Sequence, residues 1–138
     1  MNSEIIYYFH TLPKDDDGHS IIGMIDQIII DIINAKVSYV VISEVSLIKN
    51  LNHHRDLDIN DYKKLSYIIM NHHVVVQDGE KTVGVVHIKE DKYYFALKAT
   101  VSGETIFLTS FRKTSDLDLK RLKRKVEKKK AVLIFGSL

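Results

Sequence analysis

The chain of 138 residues contains no cysteine, no tryptophan and a single proline, Pro13. Without cysteine there is no disulfide scaffold, Cys-ligated zinc site, iron–sulfur cluster or thiol nucleophile, and a reducing, cytoplasmic compartment is the expectation. With one proline, six glycines and no Ser/Gly-rich stretch or repeat, nothing marks an internal boundary, so residues 1–138 read as one domain. Long apolar runs are missing too. The most apolar stretch, Ile21 to Ile33, is interrupted by Asp26 and Asp31 and is too short and too charged to span a bilayer. Residues 1–10 lack the basic-then-apolar order of a secretory signal. A chain of this size, 45% hydrophobic, buries roughly 70% of its unfolded surface, so a core can form without disulfides or a structural metal.

What is abundant is charge, unevenly placed. The net charge of +2 conceals ten basic against fifteen acidic residues before position 112, and ten basic residues against Asp116, Asp118 and Glu127 from Arg112 to Lys130. An acidic body with a basic tail implies a polyanionic partner, of which nucleic acid and membrane surface are the common cases. A membrane-surface helix needs a broad apolar face with Trp or Phe. The tail offers only Leu119, Leu122 and Val126, so nucleic acid leads and no membrane partner is expected.

The spacing of apolar residues predicts a short strand over Glu4 to Phe9, a polar turn at Lys14-Asp-Asp-Asp-Gly18, and a helix from about Ser20 to Asn34. Val37 to Ile42 reads as a strand, Ser43/Ser46 as the start of a helix ending near His53 or His54, and Asp58 or Asn60 as the cap of the next. From residue 72 the period changes to two. His73–Gln77, Thr82–Lys89, Lys92–Thr100 and Glu104–Lys113 form four strand-like runs with short links, an antiparallel meander. A basic helix over about 116–130, docked on one sheet edge, and a last strand from Val132 to Phe135 complete an α+β domain with a four- to five-stranded, mainly antiparallel sheet.

The stretch Lys49 to Tyr62 holds a lysine, the adjacent His53 and His54, and Arg55 at a junction between helices. Histidine titrates near neutrality and serves as general acid or base; lysine stabilises a developing phosphorane. On the later strands, alternation sets Lys98 with Thr100 on one face and Ser110 with Arg112 on one face of the neighbour, groups suited to holding phosphate oxygens. Tyr93, Tyr94, Phe95, Phe107 and Phe111 are rings on which unpaired bases could stack, which favours single-stranded RNA. Lys98, Lys120, Arg121, Lys123, Arg124, Lys128 and Lys129 are the candidate phosphate-backbone contacts. His72, His73 and His87 lack the spacing of a zinc site, Asp15-Asp16-Asp17-Gly18 lacks the ligand pattern of a calcium loop, and no phosphate-binding glycine loop is present, so neither metal nor cofactor is expected.

Lys49 with His54 five positions on, Asp61-Tyr62 opening a helix, Ile68-Ile69 before a strand and the run Phe107-Leu108-Thr109-Ser110-Phe111 resemble the phage-associated branch of the barnase, EndoU, colicin and RelE-like nuclease superfamily over about residues 40–113. Arg55 stands where that pattern often has proline, and His53 competes with His54 for the imidazole role. The resemblance implies helices on an antiparallel sheet, metal-independent cleavage of RNA (tRNA or mRNA) in phage, mobile-element or toxin settings, and a cognate inhibitor protein as a further partner. Carried over by position, His54 and Lys49 match the helix-borne pair and Ser110 the late-strand hydroxyl. With chemical fit added, His54 is the general acid or base, Lys49 and Arg112 stabilise the phosphorane, and Ser110 and Thr100 orient the phosphate. Two other readings use the same residues: an inert RNA- or protein-binding module, in which these groups need not converge, and an inhibitor or immunity protein that presents the acidic body.

Overall fold

Ile5 and Phe9 are four residues apart and buried together, and in the computed structural model, which describes residues 2–89 and 91–138, they lie on one side of helix α1 (Asn2–His10). The strand expected at Glu4–Phe9 is therefore a helix; in six mostly apolar residues, alternate and i, i+4 burial cannot be told apart. The helix expected over 20–34 is corrected as well. Ser20–Met24 is strand β1, Asp26 accepts the Ile29 N–H as an N-cap, and α2 covers Gln27–Ile33. Asn34 closes α2 in the left-handed conformation, φ 52°. Gly23 allows close packing on β1, because a Cβ there would stand 3.2 Å from the Ser66 backbone where a later helix crosses the strand.

Strand β2 (Tyr39–Ile42) leads into α3 (Glu44–His53), capped by Ser43, whose hydroxyl accepts the Ser46 N–H. A capping box formed by Asp58 and Asp61 starts α4 (Ile59–Lys63), and the chain turns at Lys64 into α5 (Leu65–Met70). Strands β3 (Val74–Gln77), β4 (Thr82–Ile88), β5 (Lys92–Ala99) and β6 (Ile106–Lys113) follow, then α6 (Asp116–Glu127) and β7 (Val132–Phe135). In the expected link Glu90-Asp91, Glu90 lies outside the described residues.

The sheet has seven strands, more than the four or five expected, in the order β1-β2-β6-β5-β4-β3-β7. Every pairing is antiparallel except β2 with β6, which meet at Val41 and Phe107. The surplus strands are β1, hidden in an apolar run that also suits a helix, and β2 and β7, which add to the two ends of the meander. The inner face carries Val83, Val85, Phe95, Leu97, Ile106, Leu108 and Phe111, and α1 to α5 close over it. On the outer face Leu119, Leu122 and Val126 of α6 pack against Val74, Val76 and Val86. The basic helix thus covers a sheet face and not an edge.

Beyond Phe107 strand β6 has no β2 partner, and Asn50 of α3 takes that place. Its carboxamide oxygen accepts the Phe111 N–H at 2.9 Å, and its nitrogen donates to the Phe111 carbonyl at 2.9 Å and to the Tyr62 hydroxyl at 2.8 Å. All of this is buried, with Asn50 only 6% exposed. Replacing Asn50 by Ala orphans a backbone N–H, a carbonyl and a phenol at once, at a cost of about 3 kcal/mol. Urea unfolding of Asn50→Ala should show a lower midpoint with an unchanged slope, whereas Asn52→Ala, at an exposed site, should stay within about 0.5 kcal/mol of wild type.

Candidate nucleic-acid interface

The outer face of the sheet is built around Gly84. A Cβ at that position would come within 2.5 Å of the Tyr94 hydroxyl, so its absence lets the Tyr94 ring lie over β4. The Arg112 guanidinium sits over that ring, 4.7 Å from its centroid, and Nη1 donates to Asp118 of α6 at 3.2 Å. Arg112 is thus positioned twice, by a ring face and by a carboxylate. A groove of about 290 Å³ runs between α6 and the sheet here, lined by Tyr94, Arg112, Thr114, Asp118, Arg121 and Lys125.

Along α6 the apolar stripe turns inward and leaves Lys120, Arg121, Lys123 and Arg124 exposed, followed by Lys128 and Lys129. Arg121 lies 3.6 Å from Asp118, and Lys125 is bound to Asp78 at 2.7 Å. Lys120, Lys123, Arg124, Lys128 and Lys129 form no ion pair among the described residues.

His54 follows the last turn of α3, its N–H bonded to the Asn50 carbonyl. Burial, and then the positive charge of nearby Arg112, hold its imidazole below the ordinary value of 6.5, with Asp56 opposing. Ser110 is two residues from Arg112, half-buried and opposite Ala96. An extra residue, Thr109, bulges from β6 between the pairs Ala96–Ser110 and Leu97–Leu108. That bulge lets Leu108 and Phe111 both face the core and turns Ser110 and Arg112 outward.

Lys49 is exposed on α3 while Asn50 beside it points into the core, and His54 stands half-buried just past the end of that helix. Other expected partners lie apart. Thr100 is six residues from Tyr94, the cross-strand partner of Arg112, or about 20 Å along an extended chain. Its hydroxyl instead accepts the Thr105 N–H and fastens the β5–β6 turn. Lys98 and Thr100 share a different hollow, of about 360 Å³, with His19, Ser43, Ser46 and Phe107. His19, whose ring stands edge-on to Phe107 at 5.1 Å, was not among the expected residues, and nothing in the turn around it marks it out. Tyr93, Phe95 and Phe111 are buried in the core, so of the rings expected to stack on bases only Tyr94 and Phe107 remain partly accessible.

Comparison of the chain with protein-family models, curated proteins and solved structures finds no match. No helix among the described residues is long and apolar enough to cross a membrane.

Because the folded state favours neutral His54, its contribution to stability is complete above the unfolded value of 6.5 and is lost as pH falls through the lower folded value. An NMR titration should find His54 protonating below pH 6.5. Arg112→Gln should move that midpoint upward without restoring it fully, since burial remains. A midpoint unchanged in Arg112→Gln would mean the guanidinium does not act on the ring.

Proposed function

We propose that this protein binds single-stranded RNA along the outer face of α6 and the adjoining surface of β5 and β6. The observation that carries the reading is the set of exposed basic side chains on α6 and the turn after it, Lys120, Lys123, Arg124, Lys128 and Lys129, which form no ion pair among the described residues and lie beside the groove that holds Arg112. Such a surface attracts a phosphate backbone by releasing condensed counterions, with no demand on base sequence. Tyr94, partly open and carrying the Arg112 guanidinium, borders that groove, and Phe107 lies in the separate hollow with Lys98 and Thr100. Fluorescence anisotropy with a single-stranded RNA across a salt series tests this. Neutralising Lys123, Arg124, Lys128 and Lys129 together should weaken binding and flatten the dependence of log K on log salt by about 0.7 for each phosphate no longer neutralised. An unchanged slope would place the binding elsewhere.

A second reading is favoured by one observation: the positive charge of Arg112 acts on the His54 imidazole and, after burial, helps hold its pKa down. In it the domain is a metal-independent endoribonuclease of the barnase, EndoU, colicin and RelE-like type, acting on tRNA or mRNA in the cytoplasm. His54 takes the proton of a ribose 2'-hydroxyl, the 2'-oxygen attacks the adjacent phosphorus, and the 5'-oxygen leaves with a proton to give a 2',3'-cyclic phosphate. Arg112 stabilises the phosphorane charge and Ser110 orients the phosphate. Thr100, fastened in the β5–β6 turn, lies too far from Arg112 to share the task. His54→Ala should cut EDTA-resistant cleavage by about 10² to 10⁴-fold with RNA affinity kept. Absence of cleavage by the wild type under the same conditions leaves the binding reading alone.

A further inference from the structure

On the inner side of the sheet, a cavity of about 280 Å³ is lined by Lys64, Tyr67, Ile68, His87, Asp91 and Tyr93, with Lys89 on its rim. His87 follows Val83 and Val85 at the inward positions of β4 and is only 5% exposed. Its Nδ1 lies 2.6 Å from the carbonyl oxygen of Asn71. A carbonyl can only accept, so Nδ1 donates to it, and Nε2, an acceptor whenever it carries no proton, forms no hydrogen bond among the described residues. Tyr93 supplies no donor to match it. Its hydroxyl donates to Asp61 at 2.5 Å, and that carboxylate is held by the Asp58 N–H of the capping box.

The walls are aromatic. The Tyr67 ring stands edge-on to His87 with 5.9 Å between centroids, and half of the Tyr67 residue is open to solvent. Cations sit outside them: Lys89 is exposed, and Lys64 is half-exposed, 3.7 Å from Asp91. An unmatched acceptor inside, ring faces between, and at the mouth Lys89 with the Lys64–Asp91 pair, a net positive charge, define a ligand with a donor at one end, a planar body and an anion at the other. The volume is at the small end for ligand pockets, roughly 300–1,000 Å³, which suits a single heterocycle.

We propose that this cavity binds a nucleoside monophosphate whose base carries an amino group. The base lies against Tyr67, its amino N–H donates to His87 Nε2, and the phosphate meets Lys64 and Lys89. The site shares no residue with α6 or with the Arg112 groove, so it stands or falls separately from RNA binding.

The test is imidazole ¹⁵N NMR of the labelled full chain titrated with adenosine 5'-monophosphate, with purine riboside 5'-monophosphate, which lacks only the amino group, and with inorganic phosphate. The adenosine nucleotide should shift His87 Nε2 saturably, the purine analogue should bind about tenfold more weakly, as for one lost hydrogen bond, and phosphate should leave His87 unmoved. His87→Asn keeps a donor for the Asn71 carbonyl and removes Nε2; it should lose about tenfold in affinity for the adenosine nucleotide with its backbone spectrum otherwise retained. Removing both lysines should weaken the nucleotide and leave adenosine itself unaffected. No saturable shift at millimolar nucleotide, or equal affinity for the two nucleotides, overturns the proposal, and both comparisons use wild-type protein.

Discussion

Strand β6 runs out of backbone partners on one side after Phe107, and a buried, half-paired strand is a costly thing to leave in a protein interior. The Asn50 carboxamide resolves this by imitating a peptide group, accepting from the Phe111 N–H and donating to its carbonyl. Its second N–H goes to Tyr62. Every polar atom of the side chain is therefore satisfied, which is the condition under which a buried amide stabilises a fold. Because Asn50 belongs to α3, Phe111 to β6 and Tyr62 to α4, the same group sets His54 in relation to Ser110 and Arg112. The aromatic packing continues from there. Phe111 is edge-on to Tyr62 and stacked on Tyr93, both at 5.5 Å, and Tyr93 ends on Asp61 of the capping box.

From this centre the two faces of the sheet diverge in character. Inward, the layer is aliphatic and aromatic except at Ser20, Asn50, Asp61 and His87, and of these His87, with Tyr93 beside it, borders a cavity. Outward, the face is filled by a single helix whose apolar stripe is narrow. The space left beside it, opened by Gly84 and bordered by Tyr94, is where Arg112 is held. A side chain on Gly84 would move Tyr94 and with it the guanidinium, so a glycine in β4 fixes the position of a charge on β6.

The period-two pattern after residue 72 locates β3 to β6 within a residue or two, and the caps expected at Ser43 and Asp58 mark true helix starts. These are local signals and legible as such. Ser20 to Ile33 was not legible, because apolar residues occupy positions that satisfy a helix as well as a strand followed by a helix, and only pairing with β2 decides between them. Asn50 reads as one more polar residue in a helix, although its partner is 61 positions away. His87 is invisible for a similar reason: inside a valine-rich strand it shows only a buried position, and its meaning comes from the Asn71 carbonyl and the Tyr67 ring. The alternation that sets Ser110 with Arg112 is correct, yet that these two face outward while Leu108 and Phe111 face the core depends on the bulge at Thr109, which pairing alone reveals.

The charge of the tail also changes meaning once folded. Of its ten basic residues, Arg112 and Arg121 pair with Asp118, Lys113 faces Asp61 at 3.9 Å and Lys125 binds Asp78. The pairs that α6 itself makes are partly exposed and each worth about 0–1 kcal/mol, so they do not attach the helix. Attachment comes from Leu119, Leu122 and Val126 on the valines of β3 and β4. What the pairs do is choose among rotations of a helix whose apolar stripe is too narrow to choose alone, because only one rotation brings Asp118 to Arg112 and Lys125 to Asp78 together. In that rotation Lys120, Lys123 and Arg124 are exposed and form no ion pair among the described residues, so the contacts that orient the helix also leave these charges toward solvent, open to a polyanion.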